Sequence, residues 1–384
     1  MDRLLITGGA GFIGSHLANQ LVRQGHQVRA LDALVDQVHS GSDRPAHLSE
    51  DVELVVGDVR DGALVRKALD GVDAVVHLAA RVGVGQSMYE IDEYVSANTH
   101  GTAVLLEALL DRPVRKLVVA SSMSVYGEGQ YEPTAAVERR LSDLEARRWE
   151  PRGADGEELT PRPTSEGKTC ANSSVYALTK YDQERLCLVF GAAYAVPTVA
   201  LRFFNVYGPH QALSNPYTGA LAIFASRLIN DRPPLLYEDG EQRRDFVNVQ
   251  DVVQAVALAL ARDEADGLPV NIASGQSVSI NEIAAKLADV LGSEIEPEVT
   301  GTFRAGDIRH CFADIDRARG LLGYQPQVGL AEGISELAEW LESQTAVDRL
   351  DGAAGFAIAG HRAIGQPQRK IRVRINGVAV DLEG

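Results

Sequence analysis

Near its amino terminus the chain runs Arg3-Leu4-Leu5-Ile6-Thr7-Gly8-Gly9-Ala10-Gly11-Phe12-Ile13-Gly14-Ser15-His16-Leu17, a short apolar strand that turns through glycines into a helix of periodic apolar residues. Glycine permits the tight turn and lets backbone N–H groups approach a pyrophosphate, which then sits at the positive end of the helix. Gly8, Gly11, Phe12, Ile13 and Gly14 are therefore expected to line a dinucleotide site. The next apolar run, Gln27-Val28-Arg29-Ala30-Leu31-Asp32, ends in a carboxylate at the spacing of a group that binds the adenosine ribose hydroxyls. Asp32 disfavours a 2′-phosphate and no arginine follows it at once, so NAD is expected rather than NADP.

Further strands follow the same plan. Val52-Glu53-Leu54-Val55-Val56-Gly57-Asp58-Val59 puts Asp58 and Val59 near the expected adenine ring. Ala74-Val75-Val76-His77-Leu78-Ala79-Ala80 ends in Leu78, Ala79 and Ala80, whose small side chains would let a cofactor pass close to the backbone. His77 precedes the strand end and reads as a satisfied structural residue. Alternation of strands and helices implies an α/β architecture of the Rossmann type, a doubly wound parallel sheet with ligands at the carboxyl ends of its strands.

A second constellation lies in mid-chain. Tyr176 and Lys180 stand four apart in Ser174-Val175-Tyr176-Ala177-Leu178-Thr179-Lys180, and Ala120-Ser121-Ser122 precedes them. Residues four apart share a helix face, so a phenol and an ammonium group can point into one cleft. A neighbouring cation is expected to lower the phenol pKa from about 10 towards the range useful in general acid–base chemistry.

Taken with Asn98-x-x-Gly101-Thr102, Ser121-Ser122-x-x-Val125-Tyr126-Gly127, Arg202-Phe203-Phe204-Asn205-Val206-Tyr207-Gly208-Pro209 and Arg243-Arg244-Asp245-Phe246-Val247, these motifs resemble the extended short-chain dehydrogenase/reductase family, in particular its nucleotide-sugar epimerases and dehydratases. The resemblance covers about residues 1–343. It implies a catalytic triad of Ser122, Tyr176 and Lys180, a cofactor contact at Asn98, and cofactor contacts from Tyr176 and Lys180, the lysine holding the nicotinamide ribose. It further implies that Asn205, Arg244 and Arg304 bind the substrate diphosphate, that Ser122 and Tyr237 also touch the substrate, and that Cys311 stands beside the sugar. Dehydratases of the family carry an Asp-Glu pair after the serine. Here Met123-Ser124 follows Ser122, so the resemblance points to a redox-neutral 4-epimerase, most like bacterial enzymes acting on dTDP-L-rhamnose. UDP-glucose and UDP-glucuronate 4-epimerases are the nearest alternatives, and a ketoreductase of a deoxysugar pathway is the alternative of another class.

Composition narrows the partners. Against 53 acidic residues stand 37 basic ones, a formal charge of −16 that speaks against nucleic acid. An anionic substrate needs only a few local donors, for which arginine forks are suited. The three cysteines, Cys170, Cys187 and Cys311, have neither disulfide-framework numbers nor metal-ligand spacing. No amino-terminal signal and no bilayer-length apolar run are evident. A cytoplasmic enzyme without a metal is expected.

Residues 1–200 are expected to form the cofactor domain and 201–345 a smaller substrate lobe, interleaved with it through a returning strand or helix. The charged stretch 128–168, with Glu138-Arg139-Arg140 and Glu145-Ala146-Arg147-Arg148, reads as a solvated surface insertion, with a lid or interface element as the alternative. The tail 346–384 ends in alternating apolar and charged residues around Asn376-Gly377, a hairpin signal. Helices around Ser96–Leu110 and Val175–Tyr194 carry Val104, Leu105, Leu109, Leu186 and Val189 on more than one face, which predicts a homodimer.

Overall fold

The computed structural model describes residues 2–39, 43–133, 139–213, 215, 219–304 and 307–342, and the backbone of short strands beyond them. Strands β1 (Arg3–Thr7), β2 (Gln27–Asp32), β3 (Glu53–Val56), β4 (Ala74–His77), β5 (Lys116–Ser122), β6 (Thr198–Phe203) and β7 (Pro269–Ile272) form one sheet. Its order is β3-β2-β1-β4-β5-β6-β7, and every pairing is parallel. The order reverses between β1 and β4, where doubly wound sheets open a crevice for ligands.

Both faces are covered, which is why β4 and β5 read as unbroken buried runs rather than alternating ones. Helices α1 (Phe12–Arg23) and α4 (Val249–Ala261) bury Leu17, Leu21, Val252 and Val256 on one face. Helices α2 (Gly101–Asp111) and α3 (Val175–Tyr194) bury Leu105, Leu109, Cys187 and Leu188 on the other. At the start of α3 the Ser174 hydroxyl accepts from Ala177 N–H, the capping role serine performs well. A bidentate pair between Glu184 of α3 and Arg202 of β6, at 2.6 and 2.9 Å and almost fully buried, fixes how α3 lies against the sheet. Arg202, the first residue of the motif that also holds Asn205, is thus structural.

The smaller lobe has its own core. Helices Ala220–Ile229, Ile280–Val290 and Leu330–Leu341 pack Leu221, Phe224, Ile283, Leu287 and Leu337 together. Beside them the short strand Arg243–Arg244 lies between Val278–Ser279 and His310–Cys311. The chain returns from this lobe to supply β7, so the two parts interleave.

The charged insertion departs from the expected solvated surface. Gln130–Glu132 pairs antiparallel with Thr160–Arg162, and several of its charges turn inward: the Arg139 side chain is 6% exposed and bonded to Glu238 at 2.6 Å. A segment rich in Glu and Arg can be buried where each charge meets a partner, a pairing that local sequence does not display. Arg148 keeps the expected exposed position, with Asp143 half-buried beside it. In the tail, Ile371–Ile375 and Val378–Leu382 pair antiparallel with Ile375 opposite Val378, as the hairpin signal predicts; Asn376 and Gly377 lie outside the described residues. Among the described residues no helix is long and apolar enough to cross a membrane.

Candidate active site

A cavity of about 530 Å³ opens at the carboxyl ends of the strands and runs from the glycine turn past Ser122 to Arg244. Its first wall is backbone. Gly8 has φ +70°, and a Cβ there would lie 2.8 Å from Ala79 N; a Cβ on Gly14 would lie 2.2 Å from Gly8 O. Side chains are excluded at both places, so α1 can approach the sheet and present its amino end to the cavity. That end has no side-chain cap and no acid in its first turn, leaving N–H groups for an anion. Gly11, Phe12 and Ile13 line the same wall.

Asp32 closes the adenosine end. Its carboxylate accepts from Ala10 N at 3.0 Å and Leu34 N at 2.9 Å and lies 3.5 Å from His39 Nε2. Burial pushes this carboxyl up, but His39 and the two amides outweigh it, and its pKa falls below the usual value. An ionised acceptor at the end of β2 suits ribose hydroxyls. Asp58 and Val59 also line the cavity, as do Leu78, Ala79 and Ala80. Burial likewise raises Asp58, whereas Arg60 grips its carboxylate at 2.7 and 3.0 Å and brings the net shift below the usual value. These residues form one continuous wall of the cavity, able to hold a dinucleotide.

Asn98 stands elsewhere. It is fully buried behind the cavity wall, where its amide accepts from Arg81 N at 2.6 Å and donates to Arg81 O and Thr179 Oγ1. The structure thus places Asn98 outside the cavity lining, where it holds Arg81 in the loop after β4.

Ser122, Tyr176 and Lys180 all line the cavity. Ser122 ends β5, and its Oγ lies 3.1 Å from the Ser124 hydroxyl while accepting from Ser124 N. Tyr176 and Lys180 share the face of α3 turned to β5, and Tyr176 N donates to Ser87 Oγ at 3.0 Å. Lys180 Nζ donates to Ala120 O at 2.7 Å and Gln183 Oε1 at 2.6 Å. Burial lowers Lys180 to about 8. Burial also raises the Tyr176 phenol, with a hydrogen bond to Ser122 pulling the other way. The expected lowering of the phenol by Lys180 is therefore corrected: dehydration dominates, and Ser122 supplies the opposing pull.

Gln183 was not foreseen. Its amide nitrogen lies 3.1 Å from His77 Nε2 and donates to Thr102 Oγ1 at 2.9 Å and Ala79 O at 3.2 Å, linking Lys180 to the end of β4 and to α2. Its signal was available, since it stands seven residues beyond Tyr176 and three beyond Lys180 on the same helix face. His77 is buried 2.7 Å from Thr7 Oγ1, and burial depresses it to about 3; it is a neutral structural residue, as read from sequence.

The substrate end divides the predicted residues. Asn205 and Arg244 line the cavity, together with Gln211, Asn215, Asp307 and Ile308, for which no sequence signal was found. Arg304 and Tyr237 do not line it. They pair with one another, the guanidinium 3.9 Å from the ring centroid and Nη2 donating to the phenol oxygen at 2.6 Å. Cys311 does not line the cavity either: it is 1% exposed and packed with Met123, Val125 and Phe204.

Comparison with known proteins agrees with this arrangement. The family model of the NAD dependent epimerase/dehydratase family matches residues 4–273. The dTDP-L-rhamnose 4-epimerase of Burkholderia thailandensis is 37% identical over 359 residues, covering 89% of this chain and 95% of that protein. Among solved structures, the UDP-glucose 4-epimerase of Thermotoga maritima with UDP-glucose is similar at a TM-score of 0.74 and 28% identity, covering 88% of this chain and 98% of that one. The UDP-glucuronic acid 4-epimerase of Bacillus cereus with UDP-glucuronic acid and NAD is similar at a TM-score of 0.74 and 27% identity, over 88% and 99% of the two chains. A glycine turn against the first parallel strand, an acidic end to the second, a Tyr and Lys on one helix face and the matching family model lead to one conclusion: the chain is an enzyme of the NAD-dependent epimerase/dehydratase family.

Proposed function

We propose that this enzyme is a nucleotide-sugar 4-epimerase with a preference for dTDP-L-rhamnose or another dTDP-linked 6-deoxyhexose. The observation that carries the reaction type is Ser122-Met123-Ser124 facing the cavity beside Tyr176: no carboxylate follows the serine, so the acid and base of a dehydration are missing from that strand end. Gly8, Gly11, Gly14 and Asp32 would hold NAD along the first wall of the cavity, and the bound cofactor would supply a reversible hydride acceptor for sugar carbon 4. Tyr176 takes the proton of the 4-hydroxyl and gives it back. Ser122, on the same cavity wall as Tyr176, steadies the same oxygen as its charge develops. Lys180, one turn on and donating to Ala120 O at the end of β5, would hold the nicotinamide ribose. Arg244 holds the diphosphate, a task for which a guanidinium fork is suited.

Substrate choice rests on likeness to the Burkholderia enzyme. Rates for dTDP-L-rhamnose, UDP-glucose and UDP-glucuronate decide it. Pocket contacts of one methylene or hydroxyl are worth about 10–200-fold in kcat/KM, and dTDP-L-rhamnose is expected to lead. A tenfold advantage for either UDP-sugar overturns the preference and leaves the reaction type standing.

A cytoplasmic homodimer is the assembly we favour. Leu105 and Leu109 belong to the core, whereas Leu110, Leu178, Leu186 and Val189 are 36–57% exposed on α2 and α3, an apolar face of the kind a second copy covers. A monomer by light scattering contradicts it.

A further inference from the structure

The insertion is bound to the Arg244 side of the cleft through charges that meet almost fully buried partners, Arg309 and His310, while Glu150 itself is 32% exposed. Glu150, at its centre, accepts from Arg309 Nε at 3.0 Å through one carboxylate oxygen and lies 2.8 Å from His310 Nε2 through the other. Glu128, where the insertion begins, accepts from the backbone N–H groups of Arg309 and His310 at 2.7 and 3.2 Å. Arg309 is 1% exposed, and the other side of its guanidinium meets Glu238 and Asp239. Burial pushes Glu150 up, yet His310 and Arg309 together bring it down to about 2, so it remains ionised.

What these charges fix is the backbone of residues 308–310. That backbone is also the seat of Arg244, whose Nη1 donates to Arg309 O at 3.0 Å and Nη2 to Ile308 O at 2.5 Å. Two carbonyls thus aim the guanidinium into the cavity, and both carbonyls belong to the segment that Glu150 clamps. Buried ion pairs of this kind add little net stability over apolar packing and are often kept for the geometry they specify.

We propose that Glu150 is a positioning residue for Arg244, and that the insertion serves as a substrate-affinity element that holds the diphosphate-binding arginine in place. This deepens the reading of Arg244 given above and rests on it.

Binding of dTDP and UDP to the NAD-loaded protein, measured by calorimetry, tests the idea without requiring the sugar to be known. For whichever nucleotide the wild type binds more tightly, Arg244→Gln is expected to weaken affinity by about tenfold or more, the scale of one charge-assisted contact. Glu150→Gln, which keeps shape and leaves Arg309 its partners Glu238 and Asp239, is expected to weaken it by about threefold to tenfold, and Glu150→Asp to recover part of the loss. The double variant Glu150→Gln/Arg244→Gln should bind no more weakly than Arg244→Gln alone, because the glutamate acts only through the arginine. Wild-type affinity in Glu150→Gln, or losses that multiply in the double variant, overturns the proposal alone. Unchanged affinity in Arg244→Gln overturns the reading of the arginine and the proposal together.

Discussion

The two ends of the cleft are built by opposite means. At the cofactor end the ligand-facing groups are backbone N–H groups and a carboxylate within the first thirty-odd residues, and the requirement on side chains is mostly that they be absent: Gly8 and Gly14 leave no room for a methyl group. At the substrate end Arg244 is aimed by carbonyls of residues 308 and 309, which are held in turn by Glu128 and Glu150. Groups far apart in sequence must all arrive before that arginine has a position. A local site is specified by conformation and a long-range one by paired charge, and the two should fail differently.

The largest effect is expected where the two ends meet. Tyr176→Phe should lower kcat by about a hundredfold or more, since general acid–base catalysis contributes about 10²–10⁴, while bound NAD and the thermal midpoint stay near wild type. Steady-state rates and the NAD released on denaturation check both halves of that statement. Near-normal turnover would remove the phenol from its role.

Breaking the cofactor end should cost ligand. In Gly14→Ala the new methyl would meet the Gly8 carbonyl at 2.2 Å, so backbone must shift at the pyrophosphate wall. NAD affinity should fall by at least about tenfold, read as loss of cofactor during gel filtration. Retention of stoichiometric NAD would argue that the glycine turn is not the binding wall.

Breaking the substrate end should cost stability as well as affinity. Arg309→Met strands the buried Glu238, while Glu150 and Asp239, 32% and 38% exposed, can turn to solvent, so the loss should lie between that of an exposed pair and the roughly 3–5 kcal/mol of a fully buried charge cluster. Urea unfolding of the variant measures this. A loss no larger than that of an exposed pair, below about 1 kcal/mol, would mean the network relaxes freely.

The smallest effect is a slope with pH. His77 has a pKa of about 3 when folded, against the 6.5 of a solvated histidine in the unfolded chain. Above pH 6.5 both states are neutral. Between 6.5 and 3 the unfolded chain takes up a proton that the folded chain refuses, so stability falls as pH drops, by at most about 1.4 kcal/mol per pH unit. His77→Asn should flatten the dependence of the unfolding free energy on pH in that window, and an unchanged slope would count against the neutral buried ring.

Sequence legibility follows the same division. The glycine turn, Asp32, the cavity-facing Tyr176 and Lys180 and the parallel sheet could be read because each is a local pattern with a fixed period or spacing. Asn98 and Cys311 could not be placed because a motif shows which residues recur and not which way a buried side chain turns: Asn98 faces Arg81 and Thr179, and Cys311 faces Met123 and Val125. The insertion misled for a related reason. Arg139 and Glu128 look like surface charges until Glu238 and Arg309, far along the chain, supply their partners.

The central claim is a redox-neutral inversion at carbon 4 driven by a cofactor that stays bound. Incubating the protein as isolated, with no added nucleotide cofactor, with dTDP-L-rhamnose and with UDP-glucose and following the sugar ring protons by NMR tests it most directly. The account predicts an equilibrium mixture of carbon-4 epimers from at least one of them, with no net change in reduced nicotinamide. A sugar that is converted only when NADH or NADPH is added, and in proportion to it, would contradict the account and make the enzyme a net reductase.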